Sequence, residues 1–168
     1  MTSQQVCTFC PVPDKELMLS VEALWEATKA NRVYSIPIAD LQRFLDEPYW
    51  DDENGEEITP STVIQTEGLG LAMLQNRLSG VPAAADRTKK GVWYARKHWD
   101  AIQLCDLSYP IIVSGDEQRL KIDDILDGLH RLSKSVITQQ TTIPVRFASP
   151  TDVRMSTIRE RRIDDDTQ

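Results

Sequence analysis

The chain predicts an α+β domain, a small mixed sheet of about four strands with packed helices, and three observations carry that expectation. Four short runs rich in β-branched or apolar residues, RVYSIPI, YPIIV, LKIDDIL and TIPVRF, are separated by stretches whose apolar residues recur at helical spacing. Two of these runs flank Ser114-Gly115-Asp116 at hairpin distance, whereas the others are joined through helical stretches. The composition, 168 residues with 40% hydrophobic and 27% charged, is that of one globular domain with tails, large enough to bury a core without disulfides or metals.

Taken in order, residues 1–19 are expected to be a flexible N-terminal segment. Ser20 is a candidate N-cap for a helix with Val21, Leu24, Trp25 and Thr28 on one face. RVYSIPI reads as the first strand, and ADLQRFLDEPYW as a short helix that buries Leu41, Phe44 and Leu45 and closes at Pro48. Residues 51–57 form an acidic loop with a turn at Asn54-Gly55, after which Thr59 and Pro60 look like the cap and first position of the next helix. Its apolar row is Ile64, Leu71, Leu74 and Leu78, weakened by Gly68 and Gly70, and residues 79–91 are the expected flexible loop. VWYARKHWDAIQLCDL resumes a helical pattern ahead of the YPIIV and LKIDDIL strands. Asp127-Gly128 then opens a helix with Leu129, Leu132 and Val136 inward, and TIPVRF is the last strand. Residues 148–168 read as a charged C-terminal tail that starts a helix at Ser149-Pro150 and frays beyond it.

The formal net charge of −7 argues against nonspecific duplex binding, which needs a basic face to neutralise phosphates, but leaves room for a small phosphorylated ligand. No apolar run reaches the roughly 18–20 residues of a membrane span. The N-terminus lacks the basic opening and apolar core of a secretory signal, and three cysteines are too few for a disulfide framework; both point to the cytoplasm.

The richest stretch is DGLHRLSKS. A strand that ends in Asp-Gly and opens a helix presents free backbone N–H groups and the positive end of a helix dipole. Gly128 permits close approach of the backbone, Arg131 can fork onto a phosphate or carboxylate, and His130 can exchange a proton near neutral pH. Asp127 can cap the helix, hold a metal or accept a proton. The same spacing also fits a plain corner, with Asp127 as N-cap, Gly128 as turn residue and Arg131 paired with Asp123 or Asp124.

The segment DGLHRLSKS, preceded by a hairpin and followed by a strand, resembles the signature of the ParB/sulfiredoxin superfamily, in which an Asp-Gly-x-His-Arg type motif opens a phosphate-binding helix. VYSIPIADLQRFLDEPYW, ITPSTV and HWDAIQLCDLSYPIIVS are similar, in the same order, to elements of small stand-alone ParB-like proteins. The likeness covers about residues 20–147, with 66–92 resembling an insertion expected to order only when a ligand or partner is present. The superfamily includes CTP-hydrolysing partition proteins, sulfiredoxins, free serine kinases and proteins described as nucleases, so fold alone does not choose the reaction. Sulfiredoxins carry a cysteine directly before His-Arg, where this chain has Leu129, and partition proteins continue into a helix-turn-helix domain for which only about twenty residues remain here.

The resemblance therefore implies a nucleotide-binding phosphotransferase or nucleotide hydrolase acting with ATP, ADP or CTP and a small-molecule acceptor. Phosphates would lie over Gly128, Leu129, His130 and Arg131, and Mg²⁺ at Asp127. Asp127 and His130 are the first candidates for catalysis; Asp46 and Glu47 are candidates for a base near the acceptor, as in the kinases, or plain helix-end charges. His98, Ser108 and Tyr109 are secondary contacts near the pocket. The alternatives are a noncatalytic module that binds a nucleotide or a protein partner, homodimer included, and a DNA-associated ParB-like nuclease. Cys7 and Cys10 make half a zinc motif, with only His98 and His130 to complete it, and read more simply as part of a tail. Trp25, Trp50, Trp93 and Trp99 read as packing residues, one of which could stack on a base, and Arg159, Arg161 and Arg162 as a solvated run among acids.

Overall fold

A hairpin opens the chain where a flexible segment is expected. Val6–Val12 (β1) and Lys15–Ser20 (β2) pair antiparallel, with Cys7 opposite Leu19 and Phe9 opposite Leu17. The strand forms because Leu17 and Leu19 alternate inward and join a buried cluster with Phe9, Leu24, Ile112 and Leu126. These are features of a computed structural model that describes residues 5–51, 57–65 and 92–163. The expected loop at 79–91, the apolar row beyond Ile64, the core of the acidic loop and nearly all of the 66–92 insertion lie outside those residues. No helix among the described residues is long and apolar enough to cross a membrane.

The chain forms two compact units, Met1–Ile36 with Pro110–Gly128 and Pro144–Gln168, and Pro37–Tyr109 with Leu129–Ile143. In the first unit β2 is the middle of a three-stranded sheet whose third strand, β9 (Thr157–Arg162), pairs antiparallel to it. The C-terminal stretch, expected as a fraying charged tail, is thus a strand; Lys15 and Glu160 form an ion pair at 2.9 Å and Glu16 lies opposite Arg161. Its charges point to solvent while its backbone pairs with β2, so side-chain periodicity carried no apolar signal of a strand. Between the sheets' strands, α1 (Val21–Thr28) is capped as expected, the Ser20 hydroxyl accepting from the Ala23 N–H at 3.2 Å. Ser149 and Asp152 form a reciprocal capping box on the later helix Pro150–Ser156.

The second sheet of this unit has the strand order β3 (Val33–Pro37), β8 (Thr142–Phe147), β6 (Ile111–Asp116), β7 (Lys121–Asp127); only the end residues Pro37, Thr142 and Ile143 fall in the other unit. Strand β6 runs antiparallel to β7 and parallel to β8, so the expected mixed four-stranded sheet is present. The hairpin turn sits later than expected. Gly115 lies inside β6 at a register shift, and the reversal is made by a 3-10 turn at Glu117–Arg119 with Leu120 left-handed at φ 52°.

In the second unit the segment expected as one helix is two 3-10 turns, Ile38–Asp40 and Gln42–Asp46, which still bury Leu41, Phe44 and Leu45. Glu47 leaves helical geometry at ψ 146° ahead of Pro48, as the ring of a following proline demands. Two short strands, β4 (Trp50–Asp51) and β5 (Glu57–Ile58), pair antiparallel. A helix described at residues 60–65 (α2) is capped by Thr59, whose Oγ1 accepts from the Thr62 N–H at 3.1 Å. Then come α3 (Val92–Leu104) and α4 (Leu129–Ile137). Lys134 of α4 donates to the Gln103 and Cys105 carbonyls at 2.8 and 2.7 Å, tying α4 to the C-terminal end of α3. Trp50, Trp99 and Ile137 pack on buried Val63 and Ile102.

Candidate functional site

The chain passes from β7 to α4 through Gly128, whose φ of 111° is open to glycine but strained for any side chain. That passage also crosses from one unit to the other, so the expected Asp127-to-Arg131 constellation is divided. Asp127 and Gly128 belong to the first unit, and Leu129, His130 and Arg131 to the second.

In the first unit Asp127 accepts a hydrogen bond from the Trp25 indole Nε1 at 2.7 Å, joining residues 102 apart in sequence. The Arg146 guanidinium lies 5.8 Å above the Trp25 ring. Oδ2 of Asp127 therefore carries an N–H donor that fixes the carboxylate's orientation. Among the described residues no three histidine, cysteine or carboxylate side chains converge as metal ligands. Trp25→Phe removes a charge-assisted bond in a half-buried setting and is expected to destabilise the fold by about 1.5–3 kcal/mol, read by urea denaturation. A change within about 0.5 kcal/mol would show that the bond adds nothing.

The cysteine pair gains no partner among the described residues. Burial first, and then the Asp127 and Asp124 carboxylates, push the Cys7 thiol up to about 12, so it stays a thiol at neutral pH. Cys10 is exposed, and its thiol is likewise raised, by burial and then by Glu16 and Asp124.

In the second unit the two histidines of the chain meet. His98 Nδ1 and His130 Nε2 are 3.0 Å apart, from α3 and from the first turn of α4. Their ring centroids are 5.3 Å apart with planes 23° from parallel. A ring separation that long with a nitrogen separation that short means that the imidazoles lie side by side, joined edge to edge. Trp50 stacks on both, at 4.0 Å and 9° to His98 and at 4.8 Å and 17° to His130. The hydrogen-bonded pair thus lies flat against one indole face.

Burial, then His130 and Lys97, lower the His98 pKa from 6.5 to about 4, so His98 is neutral at pH 7. A histidine with a depressed folded pKa binds fewer protons than its unfolded form. Its contribution to stability is complete above about pH 6.5 and is lost as pH falls toward about 4. The ring is half exposed, so after solvent screening the expected loss across that window is about 1–2 kcal/mol. His98→Gln should flatten the pH dependence of the melting temperature between those limits. An unchanged profile would place the acid sensitivity elsewhere.

The remaining candidates have other surroundings. Asp46 is exposed at the end of the second 3-10 turn and accepts from Ser61 Oγ at 2.6 Å, while Glu47 accepts from the Tyr49 hydroxyl at 3.4 Å. Ser108 is exposed and its N–H donates to Asp106 Oδ1 at 2.8 Å, an interaction that holds the Asp106 pKa below its ordinary value. Tyr109 is 56% exposed. Arg131 is half-buried, with its Nε shielded from solvent. The side chain of Trp93 lies outside the described residues. Trp50 is the site residue that sequence reasoning missed. From sequence it reads as packing or as a ring that could stack on a base, and nothing near it in sequence announces two histidines on α3 and α4. Comparisons with protein-family models, with curated proteins and with solved structures gave no match.

Proposed function

We propose that the chain binds a nucleotide, with its phosphates over the first turn of α4, and acts on it as a phosphotransferase toward a small acceptor or as a nucleotide hydrolase. The observation that carries this reading is the edge-to-edge His98–His130 pair at that turn. Phosphoryl transfer needs charge neutralisation, positioning, and a group that receives the proton of the attacking hydroxyl or water. The helix N-terminus and Arg131 provide the first two. The pair provides the third in the tautomer where His130 Nε2–H donates to His98 Nδ1. His130 Nδ1 then carries the lone pair that takes the proton. Neutral His98 accepts from the resulting imidazolium, and the Trp50 face lies against its charge. Asp127, held by Trp25, is positioned as a support for the strand end.

The test is a thermal-shift panel of ATP, ADP and CTP, with and without Mg²⁺, followed by turnover in the same samples. A nucleotide should raise the melting temperature and be consumed. Arg131→Ala should lower its affinity by about 2–5 kcal/mol with the fold intact, the range for breaking a buried charged contact. Binding without turnover would make the chain a noncatalytic module. No binding by any nucleotide, or salt-sensitive duplex cleavage instead, would overturn the reading.

A further inference from the structure

The first unit holds a cavity of about 550 Å³, within the range of sites that take a small organic ligand. Its inner wall is apolar. Phe9, Leu17, Ala148 and Val153 line it, all four from the unit's buried cluster, so the cavity reaches the core itself. Its outer part carries Lys15, Arg154 and Glu160. Lys15 and Glu160 neutralise each other at 2.9 Å, which leaves the exposed Arg154 guanidinium as one net positive charge among the described residues that line this apolar cleft, on a chain whose net charge is −7.

The geometry points to a second ligand site, independent of the His98–His130 pair, that takes a small amphiphile with an apolar tail and a single anionic head, a monocarboxylate. The tail covers Phe9, Leu17 and Val153, removing their residual surface from water, and the head meets Arg154 with Lys15 beside it. One net rim charge selects a monoanion. A dianion would leave a charge unmatched beside Glu160, and a cation of the same tail length would face Arg154 directly. The cavity closes on its other side against Gly115. A methyl group there would stand 2.1 Å from the Lys121 carbonyl oxygen, so this wall is backbone packed on backbone.

The test uses the full chain with two probes of equal tail, decanoate and nonyltrimethylammonium, each below its micelle concentration, with binding followed by backbone amide shifts. Decanoate should bind saturably, one per chain, with shifts centred on Phe9, Leu17 and Val153, and about tenfold more tightly than the cation. Arg154→Glu, a change at an exposed position, should erase that preference. Pro11→Trp, which fills the mouth from the exposed end of β1, should weaken both probes about tenfold with an unchanged melting temperature. Equal binding of the two probes, no saturable binding, or indifference to both variants would overturn the site. So would sedimentation showing a wild-type dimer that Pro11→Trp dissociates, since a second copy would then be what covers the cavity.

Discussion

His130→Asn is expected to lower turnover by about 10²–10⁴-fold, the usual contribution of a positioned proton acceptor, while nucleotide affinity stays within a few-fold. Asparagine keeps a polar side chain of similar reach in the first turn of α4 but has no ring nitrogen to take and return a proton. His98→Gln should cost less. Its amide oxygen can still accept from His130 Nε2–H, so orientation is kept, whereas support for the charged ring is reduced. Trp50→Leu removes the face on which both rings lie and should change the pH profile of turnover more than nucleotide affinity. The two roles in the proposal separate cleanly. If His130→Asn keeps full turnover, the proton role is wrong even where Arg131→Ala still shows that phosphates bind. If Arg131→Ala leaves affinity unchanged, the phosphate site is wrong whatever His130 does.

Gly115→Ala is expected to destabilise the first unit by about 3–5 kcal/mol, the size of backbone strain added to a clash that cannot relax. Gly115 has a φ of 145°, and its added methyl would meet the Lys121 carbonyl oxygen at 2.1 Å, the Asp123 nitrogen at 3.0 Å and the Ile122 Cα at 3.1 Å. All three atoms are backbone of the paired strand β7, so no side chain can swing aside. Relief requires the β6–β7 register to move, and that register places buried Ile122, Ile125 and Leu126. Gly128→Ala, at a φ of 111°, adds strain of about 1–3 kcal/mol. Urea denaturation decides both; a loss below about 1 kcal/mol at Gly115 would mean that the hairpin has an alternative register.

Features that neighbours within a turn or two decide are legible in the residues alone. Ser20, Thr59 and Ser149 cap the helices they precede, because a cap needs only a side-chain oxygen two or three residues from an open N–H. Leu41, Phe44 and Leu45 are buried as their spacing requires, although the backbone that carries them is 3-10 rather than α, since burial follows the apolar row and Pro48 cuts the segment short. TIPVRF is a strand from its first residue to its last, and the mixed α+β class with a four-stranded sheet follows from such runs.

Tertiary structure alone decided what depends on distant segments closing on one another. β9 is charged and exposed, and it becomes a strand only because β2, near the other end of the chain, offers it a backbone partner. The same pairing turns an expected N-terminal tail into the middle of a sheet. Within the Asp127-to-Arg131 motif, Asp127 meets Trp25 across 102 residues and His130 meets His98 across 32, so two residues three apart in one motif serve different clusters. No local period encodes either meeting, because side-chain spacing reports which face of an element is apolar and says nothing about which other element will cover it. Bringing Trp50, His98 and His130 together takes the docking of β4, α3 and α4, and that docking is driven by buried residues such as Val63 and Ile102 that take no part in the chemistry.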